Sequence, residues 1–163
     1  MEIERKWIVD DVGKFCEQLA AAAKIIGQYK IDQFYVSIDP EVRCRKAVTV
    51  YGPNKTPYEI SIKSNGNLSR TEIEQSILAS FYEEAKLFVG LPPISKDYAV
   101  YNLDGYKLEI SIVENRFTYI EIEFDSEEQA MDYHLPFVDC VTEVTNNAEY
   151  KMKNYWKKTR LDK

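Results

Sequence analysis

The sequence predicts an α+β, mainly β fold: an eight-stranded antiparallel β-barrel, closed or nearly so, with helices packed outside. Three observations predict it. Eight segments carry strand character, most of them with polar and apolar residues alternating. The connections between them hold tight-turn signals such as Asp39-Pro40, Asn65-Gly66, Asp104-Gly105 and Glu114-Asn115. Helical spacing is confined to a few short stretches that fit outside such a barrel.

The first strand runs from Glu2 to Val9, with Glu2, Glu4 and Lys6 on one face because successive side chains alternate sides. Asp10-Asp11 then caps a helix over Val12 to Lys24, where Phe15, Leu19, Ala22 and Ala23 recur at helical spacing. Ile25 to Ile38 reads as a long strand and Val42 to Tyr51 as the next, parted by the Asp39-Pro40 turn and closed by Gly52-Pro53-Asn54. Tyr58 to Lys63 alternates again, and Ser64-Asn65-Gly66-Asn67 turns the chain into its partner, Leu68 to Ile77. Ala79 to Val89 is helical and stops at Gly90, with Pro92-Pro93 beyond. Ile94 to Leu103, Tyr106 to Val113 and Arg116 to Phe124 form a meander. A short helix starts near Ser126, and a last one covers about Ala148 to Thr159.

A chain of 163 residues is long enough for one domain with a sizeable core, so residues 1–163 are read as a single unit. No apolar run approaches a membrane span, and no signal-peptide pattern precedes the first charged strand. Three cysteines without metal spacing (Cys16, Cys44, Cys140) read as reduced thiols, Cys44 buried, in a cytoplasmic protein. A lone His134 excludes any mechanism that needs a histidine pair. The formal charge of −6 argues against a broad nucleic-acid surface but not against a small anionic substrate. Tyr150, Tyr155 and Trp156 are expected to pack the last helix on the barrel.

The polar faces of the strands are unusual. They read Glu2, Glu4, Lys6; then Arg43, Arg45; then Glu59, Ser61, Lys63; then Arg70, Glu72, Glu74. The meander adds Lys96 and Tyr98, then Lys107, Glu109, Ser111, and last Tyr119, Glu121, Glu123. A solvated sheet face is often charged, so one such strand means little. Here E-x-E recurs three times, and like charges two apart on a strand repel unless a divalent cation sits between them. If Arg43, Arg45, Lys63, Arg70 and Lys96 line an interior cavity, they neutralise a compact polyanion, since arginine forks and lysine ammonium groups suit phosphate oxygens.

Glu2-Ile3-Glu4-Arg5-Lys6 resembles the E-x-E-x-K signature of the CYTH superfamily, the triphosphate tunnel metalloenzymes. The likeness continues in order along nearly the whole chain. Arg43-Cys44-Arg45 resembles the R-x-R strand, Ile62-Lys63 the lysine strand and Arg70-Thr71-Glu72-Ile73-Glu74 the R-x-E-x-E strand. Lys96 resembles the first member of a K-x-R pair, Glu121-Ile122-Glu123 the late E-x-E, and Glu143-Val144-Thr145 the E-V-T before the last helix.

The resemblance implies a tunnel that binds a triphosphate-containing small molecule with Mg²⁺ or Mn²⁺ and hydrolyses it, inorganic tripolyphosphate being the leading substrate. A class IV adenylyl cyclase and a non-catalytic polyphosphate or nucleotide binder are the alternatives. It implies metal ligation by Glu2, Glu4, Glu121 and Glu123, and phosphate binding by Lys6, Arg43, Arg45, Lys63, Arg70 and Lys96. Glu72, Glu74 and Lys6 would serve catalysis. It admits a homodimer, with no nucleic acid or membrane as partner. Three places depart from the pattern: Tyr98 stands for the second base of K-x-R, Ser111 for an acid, and Asn146-Asn147-Ala148-Glu149 for an acid and a base. Lys151 and Lys153 are the candidates to replace that base.

Overall fold

In the computed structural model, which describes residues 1–162, antiparallel pairing carries one sheet almost round a barrel. Its strands are β1 (Glu2–Val9), β2 (Lys24–Ile38), β3 (Glu41–Tyr51), β4 (Tyr58–Lys63), β5 (Ser69–Arg70), β6 (Glu72–Ser76), β7 (Ile94–Leu103), β8 (Tyr106–Val113), β9 (Phe117–Glu123) and β10 (Val141–Glu143). The hydrogen-bonded order is β10-β1-β9-β8-β7-β2-β3-β4-β6. β5 pairs with β1 through Glu2 opposite Arg70 and Ile3 opposite Ser69, which brings the two ends of the sheet together.

The segment expected as one strand over Leu68–Ile77 is therefore two. β5 hydrogen-bonds to β1 and β6 to β4, so the chain must change partner between them. Thr71 makes the change: its N–H donates to Ser64 Oγ and its carbonyl accepts from Ser64 N–H, both at 2.9 Å. With β5 and β6 taken as one broken strand, eight strand positions circle the barrel, as expected. β10 is an addition to the expected strands; its three residues are too few to show an alternation. It lies beside the second half of β1, with Trp7 opposite Glu143.

Helices cover the outside. α1 (Val12–Ala22) starts where the Asp11 side chain accepts the Lys14 N–H, and it buries Phe15 and Leu19. Phe15 meets Phe137 edge-on in a core shared with Trp7, Leu108, Ile120 and Ile122, the outward residues of the strands. α2 (Ala79–Val89) ends at Gly90 in the left-handed region and buries Tyr82 against Phe34 and Tyr58. α3 (Glu127–Asp132) is capped by Ser126. Among the described residues no helix is long and apolar enough to cross a membrane. Cys44 and Cys140 are buried and Cys16 is exposed, all as free thiols.

The expected last helix is broken into a 3₁₀ turn (Ala148–Tyr150), α4 (Met152–Trp156) and a π-helical turn (Lys157–Leu161). Lys151 is extended between the first two. Thr159 Oγ1 donates to the Tyr155 carbonyl at 2.7 Å, a back-bond that competes with regular helix geometry. This terminal segment plugs one end of the barrel: Trp156 is buried against Tyr35, with Met152, Ile94, Val113 and Tyr119 around it.

Candidate active site

Cross-strand register decides which side chains share the interior. Glu4 is opposite Glu123, Lys6 opposite Glu121, and Glu109 opposite Glu121. On the far side Arg43 is opposite Ser61, Lys63 opposite Glu72, and Tyr98 opposite both Tyr29 and Ser111. Directly opposed residues lie on the same face, so the polar faces of all these strands turn inward together. They surround a cavity of about 250 Å³. All twelve residues singled out in the sequence line it: Glu2, Glu4, Lys6, Arg43, Arg45, Lys63, Arg70, Glu72, Glu74, Lys96, Glu121 and Glu123.

The lining also includes Glu41, Lys55, Glu59, Lys107, Glu109, Lys151, Tyr35, Tyr98, Ser111 and Tyr119. Glu41 could have been found by continuing the alternation of Arg45 and Arg43 back by one more step. Lys107 and Glu109 stood on a polar face but matched no motif. Lys55 comes from a loop and has no periodic signal. Lys151, not Lys153, reaches the cavity; its Nζ donates to the Gly66 carbonyl.

The cations fall into two groups. One group is already paired. Lys63 Nζ lies 3.2 Å from Glu2, and Arg70 is 3.0 Å from Glu2 and 3.1 Å from Glu41. Arg45 is 2.8 Å from Glu59. The other group meets neutral partners. Lys96 Nζ donates to Tyr119 Oη at 2.9 Å, and Lys6 Nζ donates to the Tyr150 carbonyl at 2.6 Å while standing 3.9 Å above the Tyr119 ring. Arg43 donates to Ser61 Oγ at 3.0 Å, yet its buried Nε has no partner among the described residues. A buried guanidinium donor left unmatched is costly, and an anion in the cavity would satisfy it.

The carboxylates crowd one another. Single oxygens of Glu2, Glu4 and Glu123 all lie within 4.8 Å of each other. Burial raises Glu4 well above the usual carboxylate range, and the adjacent charges of Glu121 and Glu2 add to this. Burial opposes ionisation of Glu2, but a hydrogen bond from Glu72 and the charges of Lys63 and Arg70 hold it at about 2. Burial and the bonds to Glu2 and Glu74 push Glu72 up to about 9. Glu74 stays low chiefly through that bond to Glu72, against burial and with help from Arg45. Glu2, Glu72, Glu74 and Glu123 also line a shallow second opening beside the start of β1.

The donor set fits a hard divalent cation: three convergent carboxylates in a polar, charged cavity with no histidine or cysteine ligand in the cluster. Nine carboxylates and nine cations line the cavity, so a polyanion entering alone would leave it strongly negative. A cation entering with it restores the balance.

No family model matches the sequence, and no curated protein matches it. Solved structures do. The inorganic triphosphatase NE1496 is 24% identical with a TM-score of 0.57, over 95% of this chain and 93% of that one. PH1012 from Pyrococcus horikoshii is 21% identical with a TM-score of 0.60, over 80% and 84%. HpAC1 from Hippeastrum, a candidate adenylyl cyclase with a dominant triphosphatase activity, is 18% identical with a TM-score of 0.55, over 80% and 83%. At such identities the likeness is one of fold: this chain shares its nearly closed antiparallel barrel with the inorganic triphosphatase NE1496 and with HpAC1.

Proposed function

We propose that this protein hydrolyses inorganic tripolyphosphate inside the barrel, with Mg²⁺ or Mn²⁺, as a single tunnel domain in the cytoplasm. The observation that carries this reading is the sorting of charge in the cavity: a tight carboxylate cluster together with buried cations that lack acidic partners. The fold shared with NE1496, an inorganic triphosphatase, agrees with it. Three free thiols suit a reducing compartment.

Phosphoryl transfer asks a protein for positioning and charge neutralisation more than for covalent chemistry. Glu2, Glu4 and Glu123, with Glu121 bonded to Glu4, would hold the divalent cation, which would offset charge on the phosphate oxygens. Arg43 and Arg45 offer forks, and Lys63, Arg70 and Lys96 complete the grip on the phosphates. Lys6, steadied by the Tyr150 carbonyl and the Tyr119 ring, stabilises charge that builds on the transferred group. Glu72 and Glu74 face the second opening and orient the attacking water. A cyclase would need an apolar slot for a base beside the phosphates, whereas the lining is dominated by charge.

The test is phosphate release from tripolyphosphate, ATP and thiamine triphosphate with Mg²⁺, Mn²⁺ or Co²⁺. Tripolyphosphate is expected to be the best substrate, and Glu4→Gln or Glu123→Gln to abolish metal-dependent release while the fold survives. Wild-type release from both variants would remove the metal assignment. Cyclic AMP formed from ATP would instead establish the cyclase, and tight binding without release the binder.

A further inference from the structure

Lys55, unlike the strand-borne cations of the cavity, comes from a loop. It rides on the loop between β3 and β4, and that loop is held down. Gly52 has φ +88°, and a Cβ there would come within 2.3 Å of the Ile26 carbonyl oxygen, so the turn requires glycine. Tyr29 Oη donates to the Pro53 carbonyl at 2.7 Å, and Ala47 N–H donates to the Pro57 carbonyl at 2.8 Å. The loop thereby sets Lys55 Nζ 5.3 Å from the ring centre of Tyr29 and 5.2 Å from that of Tyr98. The two rings lie 6.0 Å apart.

Two aromatic faces hold a cation in place without neutralising it. Neighbouring Arg45 and Lys107 are each paired with glutamates, at 2.8 and 3.0 Å. Among the described residues Lys55 has no acidic group at ion-pair distance, and its ammonium lines the cavity beside the two rings. Below the rings, Tyr29 and Tyr98 are buried with Ile31 and Val100, which turn inward by register and fill this side of the barrel. This part of the lining thus offers one unspent positive charge and little room.

We propose, on the basis of the triphosphatase reading, that Lys55 grips the outermost phosphate of the substrate while Tyr29 and Tyr98 wall off the space a nucleoside would need, so the site selects unsubstituted inorganic polyphosphate. Lys55 is then a positioning and specificity residue, and from the loop beside the Tyr98 ring it supplies the positive charge that a tyrosine at position 98 does not.

The experiment compares wild type with Lys55→Met, Lys55→Arg and Tyr98→Ser. It measures calorimetric binding of tripolyphosphate with Mg²⁺, and phosphate release from tripolyphosphate and from ATP. Lys55→Met keeps the stem against the rings and is expected to raise KM for tripolyphosphate about tenfold, with kcat nearly unchanged. Lys55→Arg is expected to restore most of the loss. Tyr98→Ser is expected to raise kcat/KM for ATP relative to tripolyphosphate by about tenfold or more. An unchanged KM in folded Lys55→Met overturns the grip, and an unchanged preference in folded Tyr98→Ser overturns the wall. If Tyr98→Ser fails to fold, Tyr98→Leu carries the same comparison. Should wild type bind tripolyphosphate without releasing phosphate, the triphosphatase reading fails, and weaker binding by Lys55→Met still upholds the grip. Should wild type not bind it at all, both readings fall.

Discussion

Glu4 lies directly opposite Glu123 across the β1–β9 ladder, and Glu2 completes a cluster whose carboxylate oxygens approach within 4.8 Å. Burial raises Glu123 above the ordinary carboxylate value, and the charges of Glu109, Glu2 and Glu121 add to this, so its ionised form costs stability at neutral pH. Glu123→Gln is therefore expected to make the metal-free protein more stable, by about 0.2–1 kcal/mol. In a chain of this size that raises the melting temperature by up to about 4 °C. The same variant should lose the stabilisation that Mg²⁺ gives wild type by mass action. Melting curves with and without Mg²⁺ check both statements. A variant that melts lower without metal, or that keeps the full Mg²⁺ shift, would show that this pair is not a metal site.

Arg43 leaves its buried Nε without a partner among the described residues while its terminal nitrogen donates to Ser61. The orphan donor is what distinguishes it from a lysine at the same place. Arg43→Lys keeps the charge and loses the fork. It is expected to lower kcat/KM for tripolyphosphate about tenfold or more. Circular dichroism should stay close to wild type, and the melting temperature should fall by no more than loss of the Ser61 hydrogen bond explains. Full activity in Arg43→Lys would mean that only charge is read there.

How much of this site is legible in the sequence depends on where each residue sits. Glu2, Glu4 and Lys6, Arg43 and Arg45, and Glu121 and Glu123 stand on long regular strands, so a period of two is enough to place each set on one face. Charge on that face, and motif order, then imply an interior rather than a wet exterior. Glu41 escapes because the turn at Pro40 hides that the strand already begins there. The break at Thr71 has no glycine or proline to announce it; it follows from the need to pair with β1 and β4 in turn. Lys55 cannot be read from a loop, since its place depends on the aromatic pair contributed by β2 and β7. Position 98 looks like a loss in sequence, and only the packing connects it with Lys55.

Glu114 ties the β8–β9 turn to the C-terminal segment, accepting from Arg160 and from Tyr155 Oη. Burial opposes ionisation of Glu114, but those two hydrogen bonds and the Arg160 charge hold its pKa below the ordinary carboxylate value. A folded-state pKa that is depressed gives stability above the unfolded pKa and loses it as pH falls through the folded one. Glu114→Gln is expected to cost about 1–2 kcal/mol at pH 7. That gap should close as the pH drops through and below the ordinary carboxylate range. Urea melts of both proteins at pH 7 and at acid pH test this. A gap that stays constant with pH would assign the loss to packing rather than to the ion pair.

Trp156 closes the barrel end on which that segment rests. It is 1% exposed, its ring centre lies 6.0 Å from that of Tyr35, and the Arg160 guanidinium stands 5.4 Å above it. Replacing it with alanine removes a large buried side chain and opens a cavity, at a cost of about 3–5 kcal/mol. The same segment supplies Met152 to the cavity lining and the Tyr150 carbonyl to Lys6, so loosening it also frees the Lys6 ammonium. Trp156→Ala is thus expected to melt roughly 6–20 °C lower and, at a temperature where it remains folded, to show a lower kcat for tripolyphosphate. Trp156→Phe should recover part of the stability and most of the rate. If Trp156→Ala loses stability but keeps full kcat, the terminal segment serves only as a plug. If it melts within a degree or two of wild type, Trp156 does not close the barrel.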